Sequence, residues 1–321
     1  MIFIYRTKQA RNIKRRRRCS KPKLEQEDIM AVYELKNGVI SIAVDSRGAE
    51  LKSLKRIDTG TEYMWCGDAK YWGRTSPVLF PFVGGVKNRE YRTKGKTYTM
   101  TQHGFARDME FTLLSQSGDE IWFQLRSNGE TLAKYPYDFI LKLGYRISEN
   151  RVEVLWQVEN PGSEVLHFSI GGHPAFNCPI ETDTKQSECF VDFGDVEEVL
   201  STRISENGLA TNAMDVYSLT DGRLALRENL FQHDALVIEN SQTDIAALCR
   251  KDGSRYVTVT MDAPLFGIWS PPDKEAPFVC IEPWYGRCDS EDFDGTLEER
   301  KWGNQVKPGE IWNASYTIQP D

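Results

Sequence analysis

Four short segments place chemically capable side chains beside glycines or inside apolar runs. They are GRTSPVLFP (residues 73–81), QHGFARD (102–108), GGHPAFN (171–177) and CIEPWYG (280–286). Histidine titrates nearest to neutral pH, and a carboxylate among apolar residues is costly unless it is hydrogen-bonded or functional. A histidine and a buried glutamate from these segments could therefore act as a general acid and a general base.

The histidines and the glutamate also have ordinary structural interpretations. His103 and His173 both adjoin a glycine, which permits the close backbone approach of ligand-binding turns, but either could be a hydrogen-bonded structural histidine. Glu282 directly follows an apolar run, where burial would raise its pKa and suit it as a base, or it could cap a strand at the surface. Trp284 could pack against the face of a sugar or belong to the core.

Two arginines belong to the same segments. Arg74 precedes an apolar run, and Arg107 stands beside Asp108. A guanidinium group there could fork onto sugar hydroxyls or onto a phosphate. A structural ion pair is the alternative for both arginines, with Asp108 as the local partner of Arg107.

Other catalytic signatures do not occur in the sequence. It contains no HxH or HExxH pattern, no GxSxG elbow, no P-loop and no GxGxxG within a βαβ pattern. Its seven cysteines are scattered and form no CxxC pair, which does not suggest a metal cluster. Glycoside hydrolysis needs two carboxylates about 5–10 Å apart, and Asp234 and Glu282 leave a polysaccharide hydrolase or lyase open as an alternative.

Charge is distributed unevenly along the 321 residues. The net charge is -7, yet residues 1–29 hold ten Lys and Arg against three acids, so the rest carries about -14. A body this acidic repels nucleic acid, and no apolar run approaches the roughly 20 residues of a membrane span. The N-terminus lacks the apolar core of a signal peptide, so we expect a cytoplasmic protein with reduced thiols.

Strands must position these segments. Apolar residues alternate with others over 39–44, 139–147, 152–158 and 256–261, with turn signals such as Ser127-Asn128-Gly129 between the runs, and long amphipathic helices are nearly absent. This pattern predicts an all-β protein of two large packed antiparallel sheets, with one domain over residues 30–321. Residues 1–29 are predicted to be a basic, disordered extension, which is either a functional tail or an extended gene start before Met30.

Taken in order, the four segments resemble the aldose 1-epimerase (galactose mutarotase-like) family, most of all its LacX-like branch. The resemblance runs from Met30 to the C-terminus. It implies a β-supersandwich without a metal or an organic cofactor. It also implies an enzyme that interconverts the α and β anomers of an aldohexose or a sugar phosphate by opening the ring. A carbohydrate-binding protein without catalysis is the alternative, and the oligomeric state is left open.

The resemblance also assigns roles to individual residues. His173 matches the general acid of the family, and Glu282 matches its general base. Five further positions are expected to bind the sugar, Asp234 by a looser match: Arg74, Gln102, His103, Arg107 and Asp234. One departure is Gly85, which stands where many relatives are expected to have a basic residue.

Overall fold

The computed structural model describes residues 31–272 and 274–321, so the predicted extension over 1–29 lies outside the described residues. The first twelve strands are β1 (Val32–Lys36), β2 (Ile40–Asp45), β3 (Glu50–Arg56), β4 (Val78–Leu79), β5 (Glu90–Thr93), β6 (Lys96–Thr99), β7 (Thr112–Gln116), β8 (Glu120–Arg126), β9 (Ile140–Ser148), β10 (Arg151–Glu159), β11 (Leu166–Phe168) and β12 (Ile170–Gly172). The remaining strands are β13 (Ala175–Asn177), β14 (Phe190–Asp192), β15 (Glu198–Ile204), β16 (Ala210–Ser218), β17 (Arg223–Ala225), β18 (Leu236–Glu239), β19 (Ile245–Cys249), β20 (Arg255–Met261), β21 (Leu265–Trp269), β22 (Phe278–Tyr285), β23 (Asn304–Val306) and β24 (Ile311–Pro320). Within the described residues, helical structure is limited to α1 (Gly129–Lys134) and to 3₁₀ turns at Lys87–Arg89, Ala106–Asp108, Gln186–Glu188 and Leu297–Glu299.

Two large antiparallel sheets dominate the fold, as predicted. One has nine strands in the order β17-β14-β19-β20-β24-β10-β9-β8-β7. The other has eight, in the order β16-β15-β18-β21-β22-β12-β4, with β13 also paired to β22. A three-stranded sheet (β1 to β3) and two two-stranded sheets (β5-β6 and β11-β23) accompany them.

The core lies between the two large sheets because alternate side chains of each sheet point toward the other. In β10, the apolar residues from Val152 to Val158 at every second position are buried. In β22, Val279 and Ile281 join the same apolar cluster. The residues between them therefore point to the opposite face of the eight-stranded sheet, and that face is also buried at β22.

The predicted strands begin and end within one residue of the observed ones: β2, β9, β10 and β20 correspond to the four alternating runs. One predicted turn differs. Ser127-Asn128-Gly129 leads into α1 because the Asn128 carboxamide accepts hydrogen bonds from the amides of Glu130 and Thr131, which caps the helix. That residues 30–321 form one domain stays a prediction.

Candidate active site

The site lies on the face of the eight-stranded sheet that points away from the core. In β22, Glu282 and Trp284 alternate with the core residues and share this face. Gly267 of the neighbouring strand β21 lies directly opposite Glu282. The strand periodicity that builds the core therefore also presents Glu282 to a cavity.

Backbone hydrogen bonds join all four segments predicted from the sequence, and the amide of Ile281 donates to the carbonyl of Pro174 at 3.2 Å. The amide of His173 donates to the carbonyl of Pro77 at 3.1 Å, and the amide of Phe105 donates to the carbonyl of Phe80 at 3.0 Å. Gly104, at φ 71°, passes so close to Phe80 that a Cβ there would lie 2.3 Å from its carbonyl oxygen. A glycine is thus required for segments 73–81 and 102–108 to meet.

All seven predicted site residues line one cavity of about 290 Å³, near the lower end of the usual range for small-molecule sites. They are Arg74, Gln102, His103, Arg107, His173, Asp234 and Glu282. A larger hollow of about 810 Å³, lined by residues of the 179–187 and 226–232 segments among others, contains none of them. The structure therefore brings the predicted residues together, while their individual roles stay predictions.

His173 and Glu282 face each other inside the cavity. Nε2 of His173 lies 3.3 Å from Oε2 of Glu282, and both side chains are buried. The indole of Trp72 stacks on the imidazole with ring centroids 4.6 Å apart. Among the described residues, Nδ1 of His173 and Oε2 of Glu282 are buried atoms without a hydrogen-bond partner, although Oε2 lies near the imidazole.

The surroundings place the proton of this pair on the glutamate. Burial raises the pKa of Glu282 well above its usual value, and the nearby charge of Asp234 raises it further. Burial lowers the pKa of His173 to about 3, and the positive charges of Arg107 and Arg74 add to this effect. When the pair holds one proton, the favoured form is therefore a neutral imidazole beside a carboxylic acid.

His103 is held in one tautomer. Its backbone has φ 68°, and the amide of Gly84 donates to its Nδ1 at 3.1 Å. Burial, followed by the proximity of His173, lowers its pKa well below the usual value. The neutral ring therefore carries its proton on Nε2, which makes that atom a hydrogen-bond donor.

The two arginines share one acidic partner. Nη2 of Arg74 lies 2.6 Å from Oδ1 of Asp108, whereas Nε of Arg107 lies 4.0 Å from Oδ2 of the same residue. Arg107 also donates from Nη2 to the carbonyl of Gln102 at 2.8 Å. Burial, followed by the charge of Arg74, lowers the pKa of Arg107 to about 10.

Asp234 enters the cavity from the turn before β18, with φ 67°. Burial raises its pKa, although hydrogen bonds from the amide of Ala235 and from Trp269 partly oppose this. The two carboxyl groups of the cavity, Asp234 and Glu282, are close enough for the first to affect the pKa of the second. Both can accept hydrogen bonds from sugar hydroxyls.

The sequence prediction missed several residues of the cavity wall. Trp72 precedes the GRTSPVLFP segment by one residue and could have been included with it, while Trp269 and Arg287 carried no local signal. Arg287 is buried in an ion pair with Glu239. Trp284, for which two roles were open, is buried and also lines the cavity.

Within the described residues, three groups could together hold a metal ion: His173, Cys280 and Glu282, whose ligand atoms lie within 4.8 Å of one another. A cysteine ligates metal as the thiolate. Burial, followed by the proximity of Glu282, raises the pKa of the Cys280 thiol well above its usual value. This set is therefore better suited to proton transfer than to metal binding.

Solved structures identify the fold class. The chain is similar to a galactose mutarotase related enzyme from Lactobacillus acidophilus, with a TM-score of 0.86 and 36% identity over 91% of this chain and 97% of the other. It is also similar to a galactose mutarotase-like protein from Lactobacillus casei ATCC 334, with a TM-score of 0.83 and 29% identity over 91% and 100% of the two chains. The predicted galactose mutarotase-like β-supersandwich is confirmed.

Sequence comparison identifies the family. Residues 31–319 match the family model described as aldose 1-epimerase. The chain is also 31% identical to Protein LacX, chromosomal, from Lactococcus lactis subsp. lactis, over 89% of this chain and 98% of that protein. The chain therefore belongs to the aldose 1-epimerase family, as the four segments predicted.

Among the described residues, no helix has the length and apolar character needed to cross a membrane.

Proposed function

We propose that this protein is a mutarotase that interconverts the α and β anomers of an aldohexose or a sugar phosphate. The observation that carries the proposal is the buried His173–Glu282 pair, 3.3 Å apart in a cavity of about 290 Å³. The family and the fold support a reaction at the anomeric centre. The cavity suits one sugar ring, whereas a polysaccharide hydrolase or lyase would need a long open cleft.

In the proposed reaction the sugar loses one proton and gains another. Ring opening requires Glu282 as a carboxylate and His173 as an imidazolium. This form of the pair arises when the proton of Glu282 passes to His173. Glu282 then takes the proton of the anomeric hydroxyl as the bond from C1 to the ring oxygen breaks, and His173 protonates that oxygen. Rotation about C1–C2 and the reverse transfers close the ring on the other face of the aldehyde.

The remaining predicted residues would hold the sugar in this orientation. His103 can donate from Nε2, and Arg74 and Arg107 can donate from their guanidinium groups, while Asp234 accepts. The reaction leaves the proton count of the protein unchanged, so the pair is ready for another turnover. We therefore propose a reaction without an organic cofactor, and we keep the cytoplasm as the predicted location.

The test is mutarotation followed by polarimetry or NMR, with glucose, galactose and their 6-phosphates. Each acid–base partner is expected to contribute about 10²–10⁴-fold, so His173→Ala and Glu282→Gln should each lose activity on that scale. His167→Asn is the matched control, because His167 is only half-buried and lies outside the cavity, in β11. Wild-type activity in both site variants would overturn the proposal.

A sugar-binding protein without catalysis makes a different prediction for the same samples. Calorimetry would then show binding of a sugar to the wild-type protein, with no increase over the uncatalysed mutarotation rate. That result would replace the proposed function with the binding alternative.

A further inference from the structure

The indole of Trp284 leans along β22 toward Glu282. Its register partner on β21 is Leu265, yet its Cη2 and Cζ2 lie over Gly267, the residue opposite Glu282, where an added Cβ would lie 2.5 and 2.6 Å from them. On the other side, a Cβ at Gly171 would lie 2.6 Å from Cδ1 of the ring. Because Cδ1 and Cζ2 stand on either side of Nε1 in the indole, the two glycines fix the position of its N–H.

A buried donor and a buried acceptor lie in this part of the cavity without partners. Nε1 of Trp284 and Oε2 of Glu282 have no hydrogen-bond partner among the described residues. Burial, followed by the charge of Asp234, raises the pKa of Glu282, and the nearby indole N–H acts against both. A buried polar atom is costly to leave unpaired, and a charged acceptor strengthens a hydrogen bond. The carboxylate form of Glu282 is therefore the acceptor best suited to this N–H.

The same arrangement, with the bond formed, occurs in the other large sheet. On β8, Glu120 and Trp122 are also two residues apart and share one face of the strand. Nε1 of Trp122 donates to Oε1 of Glu120 at 2.5 Å, and this bond is the largest of the causes that lower the pKa of Glu120. A tryptophan in this protein can therefore reach back two positions along a strand and hold a glutamate as its carboxylate.

Resting on the proposed function, we infer that Trp284 is a positioning residue whose indole N–H donates to the carboxylate of Glu282 whenever that group is ionised. The bond forms as the proton of Glu282 passes to His173. It weakens again when Glu282 takes the proton of the anomeric hydroxyl. Trp284 acts through Glu282, by offsetting part of the cost of ionising a buried carboxyl group beside Asp234.

The protonation of the pair decides how much the indole N–H contributes. In the one-proton pair the favoured form has Glu282 neutral, so ring opening must create the carboxylate and gains the bond to Trp284. Once the pair has lost its proton, Glu282 is already ionised and the bond is present before the sugar reacts. The contribution of Trp284 to kcat/KM should therefore be largest where the pair holds one proton, and it should shrink as that proton is lost at higher pH.

The other ionisable groups around Glu282 are left in place when Trp284 is replaced. His173, Asp234 and Cys280 face Glu282 from the segment after β12, the turn before β18 and β22 itself. Five more ionisable residues line the cavity: Arg74, His103, Arg107, Arg287 and Cys288. A change confined to the indole N–H can therefore be read against an otherwise constant set of charges.

The first experiment compares Trp284→Phe with the wild-type protein in mutarotation over a range of pH. Phenylalanine keeps an aromatic ring but lacks the donor. We expect kcat/KM to fall roughly 10–100-fold where the pair holds one proton, on the scale of a hydrogen bond to a charged group, and we expect the loss to shrink toward higher pH. A loss of the same size at every pH would indicate a displaced cavity wall and would overturn the inference.

Two further proteins separate the N–H from the shape of the ring. Replacing Trp284 with 3-benzothienylalanine keeps both fused rings and puts sulfur in place of the N–H, so it should reproduce the loss and its pH dependence. Trp122→Phe is the matched control, because it removes an indole donor from a glutamate on β8, outside the cavity, and should leave kcat/KM unchanged. Wild-type kcat/KM in the benzothienylalanine protein, or an equal loss in Trp122→Phe, would contradict the inference.

A measurement without substrate separates the inference from the proposed function. The infrared C=O band of the neutral Glu282 carboxyl group, identified by its absence in Glu282→Gln, reports the ionisation of this residue. Its midpoint should move up by about one to two pH units in Trp284→Phe. If the wild-type protein turns over no sugar but the midpoint moves, mutarotation fails and the role of Trp284 stands. If the protein turns over sugar and the midpoint stays, the role of Trp284 fails and mutarotation stands.

Discussion

Trp284 is held between two glycines, and replacing one of them tests whether its position matters to the site. A Cβ added at Gly267 would lie 2.5 Å from Cη2 of the Trp284 indole, and one at Gly171 would lie 2.6 Å from its Cδ1. The indole is only 6% exposed, so it has little space in which to retreat. We therefore expect Gly267→Ala to push the indole along the cavity wall beside Glu282.

The size of the effect follows from two opposing contributions. An extra methyl group in a well-packed region destabilises by about 1–3 kcal/mol. Replacing glycine by alanine also restricts the unfolded chain, which stabilises by roughly 0.4–1 kcal/mol where the backbone allows it. Gly267→Ala should thus lower the free energy of unfolding by about 1–2 kcal/mol. A displacement of about 1 Å near reacting groups can cost 10²-fold, so we expect kcat/KM to fall roughly 10–100-fold.

Gly144→Ala is the matched control. A Cβ at Gly144, in β9 of the nine-stranded sheet, would lie 2.7 Å from Cδ2 of Trp122. Trp122 is only half-buried and lies outside the cavity, so its indole can swing toward solvent. We expect a smaller loss of stability and unchanged kcat/KM.

Urea unfolding gives the stability change of each variant from the transition midpoint at constant slope. Mutarotation of the best substrate gives the change in kcat/KM. If Gly267→Ala unfolds at the wild-type midpoint with wild-type turnover, the tight packing of Trp284 between the glycines has been misjudged. If Gly144→Ala loses as much turnover as Gly267→Ala, the loss does not come from the cavity wall.

Three further predictions concern the proton pair and its support. Because His173 and Glu282 act on one proton, the double variant His173→Ala/Glu282→Gln should lose about as much kcat/KM as the worse single variant. A fold-loss in the double variant equal to the product of the two single fold-losses would contradict joint action. The pKa of His173 is lowered to about 3 by burial, so kcat/KM for glucose should show no acidic limb near the ordinary histidine pKa of about 6.5; an acidic limb there would refute the shift. Glu50→Ala should destabilise the protein by about 1–3 kcal/mol and raise KM, because the amides of Thr75 and Ser76 lose their acceptor. Glu50→Gln keeps an acceptor oxygen there, so urea unfolding and kinetics should show a stability and a KM close to those of the wild-type protein.

Local alternation was sufficient to predict the strands but not their order. The run that became β10 was found within one residue at each end, because its alternate side chains enter the core. Its partner β24 lies far away in the chain, with Val154 opposite Tyr316. No residue pattern around either strand specifies that pairing, so sheet order depends on the packing of the whole chain.

The site was predictable where its residues fall in compact segments. Residues of all four segments line the cavity, and so does Asp234, which lies outside them and whose sequence match was the loosest. Arg287 was missed because its ion pair with Glu239 joins the segment after β22 to the end of β18 and leaves no motif. The sequence also could not predict whether His173 or Glu282 holds the proton of the pair. That depends on burial and on the distances from His173 to Arg107 and Arg74, which residue spacing along the chain does not specify.

The arrangement of charge explains how a buried pair could remain reactive. Glu282 lies beside Asp234, and His173 lies near two arginines, so each partner has a neighbour that disfavours its ionised form. The neutral pair is thereby stabilised, and ring opening must first move a proton against these charges.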